Sequence, residues 1–142
     1  MAIGKNVNED RPWELGILDP NSRQDSLFFN AYVTLENKSF TTSGNYFNYR
    51  MVNDQKFSHT IDPKGGYPVT HNLLSASVFT SNCTLADAWG TALMTMGYEK
   101  GVEVLNDHPE LGALLIFSNP DGSLGTYVTP NMVSSVSFRE AE

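Results

Sequence analysis

Disulfide chemistry is the first thing this chain lacks. It has one cysteine, Cys83, in 142 residues, so neither an internal bridge nor a cysteine-built zinc site can form. Positive charge is also scarce. Nine Lys and Arg stand against 16 Asp and Glu, a net charge of −7. That balance argues against a nucleic-acid partner, because phosphate backbones attract basic surfaces. Long apolar runs are missing too. The longest, 114–117 with its neighbours, falls far short of a membrane span, and residues 1–5 carry no signal-peptide apolar region. Cys83 lies too deep in the chain to be an N-terminal lipid anchor. No internal repeat or low-complexity segment appears. What remains is a chain 40% hydrophobic and 18% charged, the composition of a globular domain with a proper core.

The pattern of apolar residues predicts strands first. Residues 13–17 alternate apolar and polar and stop at Asp19-Pro20; 31–35 read as a second strand. Residues 40–42 lead into a turn at Ser43-Gly44, and 46–52 and 56–58 flank a hairpin turn at Asn53-Asp54. Residues 73–79 read as a further strand. The period then changes. Thr84 is expected to cap a helix over 86–96 that Gly97 ends, and a second amphipathic helix over 99–106 closes at His108-Pro109. A fully apolar run, 113–117, predicts a buried strand, and 124–129 pairs back to it across Asn119-Pro120-Asp121-Gly122. Six or seven strands and two helices in this order predict an α+β fold, mostly antiparallel. Trp13, Trp89, Met94 and Met96 are expected in the core, and Cys83 packed against the helix start.

Two stretches carry chemistry. In Ser58-His59-Thr60-Ile61-Asp62-Pro63-Lys64-Gly65-Gly66-Tyr67-Pro68, the prolines fix two φ angles and the glycines permit close backbone approach. In Ala86-Asp87-Ala88-Trp89-Gly90-Thr91-Ala92-Leu93, Asp87 and Thr91 stand four apart, which puts two oxygens on one helix face. Hard oxygens so placed suit a Mg²⁺ that also holds phosphates. A glycine loop, a histidine and a two-oxygen helix together suggest a nucleotide-phosphate site, and the metal would reconcile it with an acidic chain. Each residue has a plainer reading. Asp87 suits a capping box, Thr84-x-x-Asp87. His59 suits a hydrogen-bonded strand end, Asp62 a turn before proline, and Ser43-Gly44-Asn45-Tyr46 a hairpin. His71 is a weaker ligand candidate, and His108 reads as solvated.

The order of these motifs resembles a family. Ser-His-x-Ile-Asp-Pro-x-x-Gly-Tyr-Pro, then Ala-Asp-Ala-x-x-Thr-Ala-Leu, then Met-Gly-x-Glu-Lys-Gly looks like the C-terminal half of the ApbE-type flavin transferases, the FAD:protein FMN transferases. The likeness runs from roughly residue 13 to 127, and Thr42-Ser43-Gly44-Asn45-Tyr46 and Gly122-Ser123-Leu124 fall in place. Lys64-Gly65-Gly66 replaces the family's usual Arg-Thr-Gly, and Asn45 a frequent Asp. The resemblance implies that residues 1–142 are the C-terminal part of such a domain, since the family's upstream half, with its Gly-x-Ala-Lys-Gly-type motif, is absent here.

It further implies an activity: Mg²⁺-dependent transfer of FMN from FAD to a Thr or Ser hydroxyl on an acceptor flavoprotein, releasing AMP. Asp87 and Thr91 would hold the metal and His59 would be catalytic. Ser43, Gly44, His59, Ile61, Asp62, Pro63, Gly66 and Tyr67 would line the FAD site. Hydrolysis of FAD by the same site, and a non-catalytic flavin- or partner-binding piece, are the alternatives. The family lives in the bacterial envelope or periplasm. No acceptor-type Asp-x-x-Thr/Ser-Gly/Ser-Ala/Ser-Thr/Ser motif occurs in this chain, so it is not expected to flavinylate itself.

Overall fold

In the computed structural model, which describes residues 1–22, 25–46, 49–53 and 55–138, three layers stack. Two helices, α1 (Cys83–Met96) and α2 (Tyr98–Asp107), cover one face of a four-stranded antiparallel sheet. That sheet has the order β3-β6-β7-β8, from β3 (Ser39–Gly44), β6 (Leu73–Thr80), β7 (Gly112–Ser118) and β8 (Leu124–Val128). Its other face meets a smaller antiparallel sheet of order β1-β2-β9: β1 (Trp13–Leu18), β2 (Phe29–Leu35) and β9 (Val136–Phe138). A separate hairpin joins β4 (Tyr49–Val52) to β5 (Gln55–Ser58).

Strand β7 shows why the layers form. A strand covered on both faces has no reason to alternate, and Gly112–Ser118 reads GALLIFS, apolar from end to end. Ala113 and Leu115 pack with Leu93, Met94 and Leu105 of the helices. Leu114 and Ile116 pack with Ile17, Val33 and Leu35 of the small sheet. Each fully buried leucine or isoleucine contributes about 1.5–3 kcal/mol, so this strand is the spine of two cores. A ring stack between Tyr98 and Phe117, centroids 3.8 Å apart, fastens α2 to the end of β7.

The predicted strands and both helices are found, except that the strand expected over 46–52 begins at Tyr49, with residue 46 in a bend and 47–48 outside the described residues; the sheets are antiparallel throughout. Several expectations change. Asn82, not Thr84, caps α1: its Oδ1 accepts from the amides of Thr84 (2.8 Å) and Leu85 (3.2 Å). The helix therefore starts at Cys83, and Asp87 falls in its second turn, beyond the reach of a capping box. Strand β3 runs on through Ser43-Gly44, where a turn was expected, because Gly44 still pairs with Ser75. Trp13 is 37% exposed, since it sits at the start of an outer strand; its indole N–H donates to the Ile3 carbonyl (3.2 Å). Cys83 is exposed rather than packed. A 3₁₀ helix (Pro130–Ser135) and β9 carry no period strong enough to announce them. Asn53 holds φ at 49° in the β4–β5 turn, while Asp54 lies outside the described residues.

Candidate functional site

Strand β3 is an edge of the four-stranded sheet, and α1 lies across it. The contact is close because Gly90 has no side chain. A Cβ there would stand 2.9 Å from Ser43 Oγ. The next residue, Thr91, consequently comes to the same place as Ser43. Beyond the free edge, the chain leaves β5 at Ser58 and sets His59 and Thr60 opposite.

Between these three pieces lies a cavity of about 330 Å³. Ser43, Gly44, Thr42 and Tyr46 line it from β3 and the residues just beyond; His59 and Thr60 close the other side; Thr91 and Met94 come from α1. Ser43, Thr60 and Thr91 bring aliphatic hydroxyls to its lining, Tyr46 a phenol and His59 an imidazole, and no carboxylate occurs among the described lining residues. In a chain of net charge −7 that is the surface an anion tolerates. Thr42 is fixed by a 2.7 Å hydroxyl–hydroxyl bond to Ser77 on β6.

Asp87 stands one turn before Thr91 on the same face of α1. It is exposed and has no hydrogen-bond or ion-pair partner among the described residues. With Asn82 supplying the cap, Asp87 has no structural duty in the helix. Its carboxylate and the Thr91 hydroxyl are two hard oxygens, a donor pair that fits Mg²⁺ completed by water and phosphate oxygens. No group of three or more His, Cys, Asp or Glu able to hold a metal occurs among the described residues, so an all-protein cage is not what this site offers.

The predicted residues therefore divide. Ser43, Gly44, His59 and Thr91 meet at the polar cavity. Ile61 and His59 line a second, apolar groove of about 750 Å³ against the β4–β5 hairpin. Asp62, Pro63, Gly66 and Tyr67 form the loop beyond and line neither. Asp62 is engaged inside that loop. Its two oxygens accept from the amides of Lys64 (3.0 Å) and Gly65 (3.1 Å), and its backbone pairs with Tyr67 and Gly66. Gly66 takes φ of 72°, which a side chain resists. Tyr67 is 77% exposed.

His71 belongs to the scaffold. Its Nδ1 accepts from the Leu73 amide (3.2 Å), which leaves Nε2 to donate to the Met94 carbonyl (2.7 Å). Both ring nitrogens are thus engaged, and the ring packs where Gly97, at φ of 81°, leaves room. His108 pairs with Glu110 (3.0 Å) beside Trp89.

Tyr46, like Thr60, is a cavity residue that the sequence reading passed over as a site residue. Its ring lies on Gly44, where a Cβ would come within 2.4 Å of it. Burial pushes its phenol above the ordinary value, an effect that the Ser75 hydroxyl partly offsets. The signal was available: an aromatic two residues after a glycine on an edge strand is placed to cover it.

The chain has clear relatives. A FAD:protein FMN transferase from Buchnera aphidicola is 36% identical over 135 residues, covering 92% of this chain and 38% of that protein. The FAD:protein FMN transferase of Escherichia coli K12 is 34% identical over 89% of this chain and 35% of its own length. Among solved structures, the flavin transferase ApbE from Vibrio cholerae superposes with a TM-score of 0.70 at 28% identity, covering 87% of this chain and 38% of that one. The chain thus spans less than two fifths of the length of the curated relatives it matches. The profile described as the ApbE family matches residues 1–115, and the chain belongs to that family.

Proposed function

We propose that the protein transfers FMN from FAD to a Thr or Ser hydroxyl of a flavoprotein, with Mg²⁺ and with release of AMP. The observation that carries this reading is the convergence of Ser43, Gly44, His59 and Thr91 on one carboxylate-free cavity at the open edge of β3. The names of the relatives support the flavin chemistry. In the proposed step the acceptor oxygen attacks the phosphorus on the FMN side of the pyrophosphate. A new P–O bond forms, the bridging P–O bond breaks, and AMP leaves.

Residues of this chain then have distinct tasks. His59 takes the proton from the acceptor hydroxyl, the general-base work to which an imidazole is suited. Ser43 and Thr60 offer hydroxyl donors to phosphate oxygens. Asp87 and Thr91 hold the metal, which when bound neutralises pyrophosphate charge. Gly44 lets Tyr46 lie flat and close the floor. Asp62, Pro63, Gly66 and Tyr67 shape the loop that carries Ile61 and His59 to the site. The bacterial envelope fits such a role, and no helix among the described residues is long and apolar enough to cross a membrane.

One assay tests the reading. The whole protein is mixed with FAD, Mg²⁺ and a peptide carrying the acceptor motif. A fluorescent peptide with AMP is the expected product. Free FMN without labelled peptide supports water as the acceptor instead, a second reading that the solvent-exposed Thr42, His59 and Thr91 keep open. Neither product leaves the protein a binding module.

A further inference from the structure

We infer that the apolar groove beside the hairpin is where the acceptor polypeptide docks. The inference rests on the transferase reading and assigns it a second surface. The groove holds about 750 Å³ and is walled by Val52 and Phe57 of the hairpin and by Ile61 and Pro68 of the loop. Val52 is 44% exposed and Ile61 48%. Contiguous apolar surface of this kind marks a binding site.

Three observations point to a polypeptide as the occupant. First, His59 lines both the groove and the polar cavity. A chain lying in the groove therefore brings its side chains to the same imidazole that faces the cavity, as an acceptor hydroxyl must be brought. Second, β4 and β5 form a two-stranded sheet that pairs with no other named strand among the described residues. Two strands alone are marginal, and an extended segment added alongside completes both their hydrogen bonding and their burial. Third, Arg50 is the cation on this wall, and no ion pair engages it among the described residues. The fitting partner is an extended, mainly apolar segment that carries a carboxylate near the reacting hydroxyl. A flavin or adenine ring would fill the volume but would leave Arg50 and the hairpin edge unmatched.

The test uses the whole protein and a fluorescein-labelled peptide bearing the acceptor motif. Peptide affinity is read by anisotropy and FAD affinity by a separate titration. Val52→Asp and Arg50→Glu are each expected to weaken the peptide at least tenfold and leave FAD affinity within twofold. Replacing the peptide's carboxylate by an amide should weaken binding to the parent but strengthen binding to Arg50→Glu, where it relieves a like-charge repulsion. If FAD affinity falls in step with peptide affinity, the groove holds part of the dinucleotide and the inference is overturned. Unchanged peptide affinity in both variants, or no binding by the parent, also overturns it. Arg50 lies on the surface, so its variant stays informative if Val52→Asp unfolds. If the peptide binds as expected but is never flavinylated, the docking surface stands and the transferase reading fails.

Discussion

Strand β7 and the β4–β5 hairpin use similar side chains to opposite ends. Leu114, Leu115 and Ile116 of β7 are wholly buried between two layers. Tyr49, Met51 and Val52 of the hairpin stand about half exposed, on strands that pair only with each other among the named strands. The difference lies in neighbours, not in residue type. A helix on one side and a sheet on the other turn β7 into scaffold; the hairpin has neither. The candidate site spans the boundary between the two. Ser43 and Thr91 are held by the packed layers, whereas His59 is delivered by the lightly held flank. A site built this way keeps its phosphate-facing wall rigid and leaves the acceptor-facing wall adjustable.

The sharpest way to break that contrast is to truncate an aliphatic side chain to alanine on each side. Leu115→Ala should cost about 3 kcal/mol, because it leaves a cavity between closed layers. Val52→Ala should stay within about 0.5 kcal/mol. Urea unfolding midpoints measure both, and hydrogen exchange should find hairpin amides opening well before those of β6 and β7. Equal costs would mean that the hairpin is part of the folded unit and not an appendage.

Chemistry should divide along the same boundary. His59→Ala is expected to slow transfer about a hundredfold, the usual worth of a positioned proton acceptor, with FAD affinity nearly unchanged. Loss of FAD binding with normal turnover of what is bound would make His59 a contact and not a base. Asp87→Asn should lower Mg²⁺-dependent transfer at least tenfold, about 1.4 kcal/mol of transition-state stabilisation, at an unaltered melting temperature. Asn82→Ala, five residues earlier on the same helix, should do the reverse. It removes the cap, costs about 1 kcal/mol of stability, and leaves transfer within twofold. If Asp87→Asn instead melts early and transfers normally, its carboxylate serves the helix and the metal assignment is wrong.

How much of this was legible beforehand follows the same contrast. The buried elements were readable because burial leaves an apolar signature: the short unbroken run 113–117 reads as a buried strand, and 86–96, rich in helix formers, as a helix. The cap was misread because Asn82, Thr84 and Asp87 all suit helix starts, and only the backbone dihedrals select Asn82. The short 3₁₀ turn and the three residues of β9 exist because tertiary contacts hold them: Met132 is buried in the core and Val136 packs at its margin. At the site, the motif residues Ser43, His59 and Thr91 were named from sequence, but not the side-by-side placement of cavity and groove. That placement depends on Gly90 letting α1 sit flush on β3, a packing relation that no local pattern encodes. Tyr46 was overlooked for a similar reason, since its role arises from lying on Gly44.

The smallest expected effect lies furthest from the core, at Asp62. Its carboxylate accepts two loop amides, those of Lys64 and Gly65, an Asx-type turn that satisfies the backbone locally. Because the loop is exposed, those bonds compete with water, and together they are worth less than about 1 kcal/mol of net stability. Asp62→Ala should therefore leave the melting temperature almost unmoved. Its effect should be on order. Without the turn, the segment that carries Ile61 and His59 samples more conformations, and acceptor-peptide affinity should fall a few-fold. Asp62→Asn separates shape from charge. The amide keeps one acceptor oxygen and can still close the turn on one side, so it should recover much of what Ala loses. If FAD affinity falls instead, equally in Asn and in Ala, and the defect tracks Mg²⁺ concentration, the negative charge itself faces the metal or the phosphates. The loop would then be part of the phosphate wall and not merely its hinge, and the boundary between scaffold and flank would have to be moved outward to include it.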